Sequence, residues 1–91
     1  MSKEDQARKI RQKKIERLLL QWDSSVRAAI QGSRKDKRLS QDVVAEMMGW
    51  TQDIVSNIEA GRRDISVSEF IVLARQMGLD PEVMFRRVIT W

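Results

Sequence analysis

The sequence contains neither cysteine nor histidine. The lack of cysteine excludes disulfides and thiolate zinc sites, and the lack of histidine removes the commonest general base and the commonest neutral metal ligand. No glycine-rich phosphate loop or suitably spaced pair of carboxylates appears either. An enzyme is therefore the weakest functional class, and we expect no catalytic residue, metal or cofactor.

Turn-forming and aromatic residues are also scarce, with one proline, four glycines, three tryptophans and two phenylalanines. This composition favours an all-helical fold over a sheet, and 91 residues suit one domain with a modest core. No apolar run approaches the roughly 18 residues that a membrane-spanning helix needs, and no signal-peptide pattern opens the chain. We expect a cytoplasmic protein that does not bind membranes.

Positive charge is concentrated at one end of the chain. Residues 1–38 carry 12 Lys/Arg and 5 Asp/Glu, whereas residues 39–91 carry 5 and 8. In a protein that binds nucleic acid, such a basic segment would supply sequence-independent affinity by neutralising phosphates. The alternative is a solvated, charged helix face.

Residues 41–62 have the pattern of two short helices joined by a tight turn. Gly49 lies where the first helix must stop, and glycine tolerates the left-handed backbone of such a stop. Ser40 and Thr51 precede the helices as candidate N-caps. Apolar residues recur at helical spacing on both sides of the turn: Val44, Ala45, Met48, Ile54, Val55 and Ile58. This layout is typical of a helix-turn-helix, whose second helix enters the major groove of DNA.

At this level of detail the sequence resembles the phage repressor and Cro type of helix-turn-helix, the XRE-like family. The residues that carry the resemblance are Leu39-Ser40-Gln41, Ala45, Gly49, Thr51-Gln52, Val55-Ser56, Ile58-Glu59 and Gly61. It extends from about Ile30 to Phe85. The resemblance implies an all-α fold: a five-helix lambda-repressor-like DNA-binding domain over residues 23–91, with the helix-turn-helix at 40–60. Residues 1–22 would form a partly helical basic extension.

The resemblance also implies roles for three residues that would position the reading helix. Arg34 falls where the family often carries an arginine that pairs with the glutamate closing this helix, here Glu59. In the family, a glutamine at the position of Gln41 touches a phosphate and braces the same helix. The alternative is that Arg34 and Glu59 are independent surface groups, worth about 0 to 1 kcal/mol as a pair.

The reading helix is predicted from about Thr51 to Glu59. Glutamine and asparagine amides can bond bidentately to adenine, so Gln52 and Asn57 are the best candidates for base readout. Asp53 could accept a hydrogen bond from a cytosine amino group, or stabilise the start of the helix outside the groove. The predicted base-reading residues are Thr51, Gln52, Asp53, Ser56 and Asn57. The alternative is that they form an ordinary solvated helix face.

Basic and polar residues around this helix are candidates for contacts to the DNA backbone. Gln41 begins the preceding helix, whose free N–H groups favour anions, and Lys37 and Arg38 lie just before it. Arg62 and Arg63 follow the reading helix in a loop, where we expect them to set affinity and salt dependence more than sequence choice.

The segment before the motif is amphipathic. Residues 1–9 are polar and expected to be frayed. Between residues 10 and 22 a basic face accompanies a narrow apolar stripe, formed by Ile15, Leu18, Leu19 and Trp22. Packing onto its own domain is the favoured role of this helix, ahead of pairing with a second chain, and membrane-surface binding is third.

Asp23-Ser24-Ser25 offers N-cap side chains and predicts a new helix running to about Lys37. Gly32 within it either weakens that helix or marks a close approach to another one.

The C-terminal third predicts two further helices. Ser66 and Glu69 have the spacing of a capping box, and Asp80-Pro81 is typical of a helix start. We expect Trp50 to plug the core beside the turn. The last helix has more apolar residues than one narrow face needs, so Met84, Ile89 and Trp91 are assigned either to a dimer contact or to the end of the core.

Together these features predict a sequence-specific double-stranded DNA-binding regulator, acting as a homodimer on a pseudo-palindromic operator. The resemblance implies a repressor or Cro-like transcription factor. Two alternatives remain open: an antitoxin that autoregulates its operon, and a protein-interaction or coactivator module that keeps the fold without reading bases. A protein partner could bind through the N-terminal or the C-terminal helix.

Overall fold

The computed structural model describes residues 1–90, and its regular structure in that range consists of five α-helices. They are α1 (Lys3–Asp36), α2 (Gln41–Met48), α3 (Gln52–Glu59), α4 (Val67–Gln76) and α5 (Pro81–Ile89). The prediction of an all-helical fold is confirmed. Within residues 1–90, no helix is long and apolar enough to cross a membrane.

Local capping sets the bounds of α2 and the turn that follows it. The Ser40 Oγ accepts a hydrogen bond from the N–H of Val43 at 3.2 Å. Gly49 ends the helix with a left-handed φ of 69°, as its position predicts. Thr51 precedes α3 as expected, but its side chain makes no capping hydrogen bond, so that part of the prediction was wrong.

The start of each C-terminal helix is also as predicted. Ser66 and Glu69 form a capping box: the Ser66 Oγ accepts from the N–H of Glu69 at 3.1 Å, and the Glu69 carboxylate accepts from the N–H of Ser66 at 2.9 Å. Asp80 caps α5 by accepting from the N–H of Glu82 at 2.9 Å, and Pro81 occupies the first helical position.

The predicted break at Asp23-Ser24-Ser25 was wrong, because α1 is one continuous helix of 34 residues. The Ser25 hydroxyl donates to the backbone carbonyl of Gln21 at 3.2 Å, a bond made within a helix and not at its start. The helix begins at Lys3, capped by Ser2, so the expected fraying of residues 1–9 was wrong too. The predicted extra helix is therefore the first part of α1.

Residues 3–22 of α1, which we call the arm, project beyond the rest of the molecule. Every side chain from residue 8 to residue 24 is exposed. A 34-residue helix is about 50 Å long, which accounts for the longest dimension of the molecule, 53 Å. The expectation that this segment packs onto its own domain was wrong.

The core forms where the last third of α1 meets the other helices. Its buried apolar residues are Ala29, Ile30, Val44, Ala45, Val55, Ile58, Phe70, Leu73, Ala74, Met77, Met84 and Val88. Trp50 and Ile54 pack against this cluster. Met84 is fully buried, so it belongs to the core and its assignment to a dimer contact was wrong; Ile89 is half exposed, and Trp91 lies outside the described residues.

Helices α1 and α5 approach each other closely at Gly32. A Cβ added to Gly32 would lie 2.8 Å from the Arg87 Nη1, because the arginine crosses α1 at this glycine. Arg87 then pairs with the carboxylate of Asp36. Of the two interpretations of Gly32, the close approach to another helix is the one that the structure shows. The Arg87–Asp36 pair at this position links α5 to α1.

Candidate nucleic-acid interface

An ion pair withdrawn from solvent joins α1 to the C-terminal end of α3. The Arg34 Nε and Nη2 donate to the two carboxylate oxygens of Glu59 at 2.8 and 2.9 Å, a bidentate geometry. The Arg34 Nη1 donates to the backbone carbonyl of Leu39 at 2.9 Å. The side chains of Arg34 and Glu59 are 11% and 4% exposed, so the alternative of two independent surface groups does not describe them.

The contact with Glu59 keeps Arg34 charged. The hydrogen bond to Glu59 raises the pKa of Arg34, more than burial lowers it. The charge of Arg34 therefore does not change over any physiological pH range, and its two hydrogen bonds to Glu59 brace the reading helix.

Two glutamine side chains extend the network from this pair to the surface. The Gln41 Nε2 donates to the Glu59 Oε1 at 3.2 Å. The Gln52 Nε2 in turn donates to the Gln41 Oε1 at 2.8 Å. Gln41 thus links the first turn of α2 to both ends of α3, in the bracing position that the family resemblance implied.

The amphipathic pattern of α3 decides which side chains it presents outward. Val55 and Ile58 are buried in the core. Thr51, Gln52 and Asp53 at the start of the helix are exposed, and Ser56 and Asn57 are partly exposed. All five predicted base-reading residues therefore remain accessible, on or beside the one helix that is held by the Arg34–Glu59 pair.

Asn57 and Arg62 are connected to each other. The Arg62 Nε donates to the Asn57 Oδ1 at 3.0 Å, and the backbone N–H of Arg62 donates to the Asn57 carbonyl at 2.8 Å. This bond uses one of the two acceptor sites of the Asn57 amide oxygen, while Arg62 itself is exposed at the end of the helix. Because the second acceptor site remains, bidentate adenine recognition by Asn57 is compatible with this contact.

Arg63 differs from Arg62 because it is engaged within the protein. Its Nη2 donates to the Glu69 Oε2 at 2.9 Å, and its guanidinium carbon lies 5.1 Å from the centroid of the Trp50 ring. Trp50 packs on the core and holds Arg63 over its face. Arg63 is therefore less available for a phosphate than the sequence pattern suggested.

The two basic residues of the α1–α2 connection differ in their surroundings. The Lys37 Nζ lies 4.0 Å from the position of a Cβ on Gly78, at the turn between α4 and α5. Arg38 is exposed and adopts a left-handed φ of 57°, unusual for a residue other than glycine. Lys37 therefore lies beside the α4–α5 turn. Arg38 lies two residues before Ser40, the N-cap of α2.

The sequence pattern did not single out Arg27, which lies against the loop after α3. A Cβ on Gly61 would lie 3.1 to 3.3 Å from its guanidinium group, and Gly61 itself has a φ of 80°. Arg27 is two helical turns before Arg34, so a seven-residue spacing of arginines on α1 was the available signal. Together with Arg62 and Arg63, it places three cations at this loop.

The comparisons with known proteins agree with this geometry. A family model for the HTH_3 helix-turn-helix domain matches residues 30–84, which contain α2 to α4 and the Arg34–Glu59 pair. No curated protein matches the chain.

A solved structure has a similar fold. The chain resembles the crystal structure of the clp gene regulator ClgR from Corynebacterium glutamicum with a TM-score of 0.70, at 19% sequence identity. The match covers 76% of this chain and 73% of the other.

Proposed function

Because this chain belongs to the HTH_3 family of helix-turn-helix proteins, we propose that it is a DNA-binding transcriptional regulator that reads duplex DNA with α3. The observation that carries the proposal is the exposed polar face of α3 together with the brace beneath it. Arg34, Glu59 and Gln41 fix the helix by hydrogen bonds of 2.8 to 3.2 Å, whereas Gln52 keeps an exposed side chain at its N-terminal end.

Each predicted contact then has a distinct task. Gln52 and Asn57 contact base edges in the major groove, with Thr51, Asp53 and Ser56 beside them. Gln41, Arg38 and Arg62 contact phosphates. The internally bonded Arg63 and Lys37, which lies beside the α4–α5 turn, contribute less. No step of this function requires a catalytic group or a cofactor.

The regulator acts as a homodimer in this proposal. Two copies of α3 related by a two-fold axis would enter successive major grooves about 34 Å apart, so the operator would be pseudo-palindromic. A dimer bound across a promoter blocks polymerase, so repression is the proposed outcome.

The first test is selection of bound sites from a random duplex library, followed by titrations at two salt concentrations. We expect two half-sites one helical turn apart and an affinity that falls steeply with salt. Gln52→Ala should reduce the preference between the selected site and a variant of it, at a cost of about 1 to 3 kcal/mol for the selected site. Arg38→Ala, at an exposed residue proposed to contact phosphate, should weaken both duplexes alike and lower the salt dependence.

The rival function is a protein-interaction module that keeps the fold without reading bases. The negative balance of residues 39–91, with 5 Lys/Arg and 8 Asp/Glu, favours it, as does the exposed Asp53 on the reading helix. This rival takes over if no duplex binds better than about micromolar at low salt, since even non-specific binding reaches that range.

A further inference from the structure

The arm exposes a row of large apolar side chains that its own domain does not cover. Ile15 is 53% exposed, Leu18 40%, Leu19 58% and Trp22 42%. We call these four residues the stripe. An isolated helix of this length is only marginally stable in water, so an apolar face of this size indicates a partner.

The stripe continues the face by which α1 is buried in its own domain. Steps of seven residues, which are two helical turns, connect Ile15 and Trp22 to the buried Ala29. The same step leads from Leu19 through Val26 to the buried Ser33. The stripe therefore lies on the same face of α1 that the domain covers in the last third of the helix. Along the arm, this face is exposed to solvent.

An apolar groove begins where the stripe ends. It is lined by Val26, Ile65, Ser66, Val67, Phe70 and Phe85. Phe70 and Phe85 meet edge to face at 6.4 Å, and the outer side of the groove is exposed, with Val67 at 77% and Phe85 at 51%. Val26 belongs both to the groove and to the face that carries the stripe, so the two surfaces are continuous.

Charge separates the arm from the domain that carries the groove. Residues 3–22 carry seven Lys/Arg and three Asp/Glu, whereas residues 23–91 carry ten of each. Two arms packed side by side would bring two positive segments together. An arm packed on the domain of another copy places a positive segment on a domain without net charge, which avoids this repulsion.

The required area also favours a contact with the domain. One side of a 20-residue helix covers roughly 30 Å by 10 Å, or about 300 Å². Stable interfaces bury about 800 Å² on each partner, so paired arms alone would fall short. In a two-fold dimer in which each arm lies on the other copy's groove, each chain contributes both its arm and its groove. The area buried on each partner is then about 600 Å², closer to that of a stable interface, and the assembly is closed.

We propose that the stripe of one chain docks in the groove of a second copy of this chain, reciprocally, and that this arm exchange forms the dimer. The inference specifies the surface of the dimer proposed above, but it does not depend on DNA binding.

The test is sedimentation equilibrium of the full chain without DNA, from about 1 to 100 μM, for the wild type and two variants. Leu19→Glu places a charge in the stripe. Leu20→Glu makes the same change at the next residue, which is 69% exposed and lies off the stripe. We expect a wild-type dimer, a dissociation constant raised at least about tenfold by Leu19→Glu, and a change of no more than about twofold with Leu20→Glu.

Circular dichroism of all three proteins controls for folding, since both substitutions are at exposed helical positions. A wild-type protein that stays monomeric over the whole range would overturn the proposal, and so would equal weakening by the two variants. If such a monomer still selects one duplex sequence, the DNA-reading function stands without the arm exchange. Binding of the monomer to anionic phospholipid vesicles, lost in Leu19→Glu, would make a lipid surface the occupant and overturn the proposal as well.

Because the chain has no cysteine, disulfide trapping identifies the partner surface without background. Chains carrying Leu19→Cys are mixed with chains carrying Val67→Cys and oxidised. We expect disulfides between the two kinds of chain. If only Leu19→Cys chains link to each other, the stripes pair with one another and the groove is not the docking site.

Discussion

At the scale of single residues, the fold depends most on one charge pair that is almost fully removed from water. Arg34 and Glu59 lie in the second half of α1 and at the end of α3, 25 positions apart. Their bidentate bond is supplemented by contacts with Gln41 and Leu39. Neither side chain keeps a buried polar atom without a hydrogen-bond partner. Removal of either partner would strand the other, which costs more than a surface pair ever contributes.

We predict that Arg34→Ala lowers the free energy of unfolding by about 3 kcal/mol, because Glu59 is left buried without its counter-charge. Arg86 provides the control, since its pair with Glu82 is exposed at 68% and 73%. Arg86→Ala should change stability by less than about 1 kcal/mol. Urea unfolding of the three proteins measures both effects, and equal losses in the two variants would contradict the prediction.

The sequence predicted some contacts of this site and not others. The Arg34–Glu59 contact was anticipated from the resemblance because both positions belong to the matched motif. The bond between Asn57 and Arg62 and the stacking of Arg63 on Trp50 were not anticipated. These contacts depend on how the loop after α3 folds back, which no local spacing encodes.

At the scale of elements, most helix bounds followed from capping chemistry. Ser40, Ser66 and Asp80 cap their helices through their side chains, and Gly49, which has no side chain, adopts the left-handed backbone that ends α2. Asp23-Ser24-Ser25 has the same composition but lies within α1. Residues that can cap a helix do so only where the backbone leaves it, and neither glycine nor proline forces an exit at that point.

We predict that the capping box of α4 makes stability depend on pH. The N–H of Ser66 and then the Arg63 guanidinium lower the pKa of Glu69 by hydrogen bonding to its carboxylate. A carboxyl with a lower pKa in the folded state stabilises the fold fully above its unfolded pKa, and this contribution is lost as pH falls through the folded value.

Glu69→Gln is the matched variant, because the amide oxygen can still accept from Ser66 but carries no charge. The wild type should exceed it in free energy of unfolding by less than about 1 kcal/mol near pH 7. The difference should shrink towards zero below about pH 4. Urea unfolding at several pH values measures it, and a difference independent of pH would show that the carboxylate charge has no part in the cap.

At the scale of the whole molecule, the chain divides into a packed unit and an arm that contributes no buried side chain from residues 8 to 24. The sequence predicted a boundary near residue 22 between an N-terminal extension and the domain. That the domain is stable without this extension stays a prediction. Periodicity identified the amphipathic arm but could not reveal whether its apolar side would find a partner in the same chain. That outcome depends on the direction in which α1 leaves the domain.

We predict that removal of residues 1–21 leaves the domain folded. Measured at low concentration, where the full chain is monomeric, the free energy of unfolding should change by less than about 0.5 kcal/mol, as for surface changes. Thermal and urea unfolding of the shortened and full chains test this. A loss of more than about 1 kcal/mol would mean that the arm stabilises its own domain.

The unbroken backbone of α1 has a further consequence for the arm. With no loop between arm and domain, the direction in which the arm faces is set only by the number of residues that separate them. One residue inserted near Asp23 would rotate Leu19 and its neighbours by about 100° around the helix axis and shift them by about 1.5 Å along it. The orientation of this segment is thus encoded as a count along the chain, and no side-chain substitution in the domain could restore it.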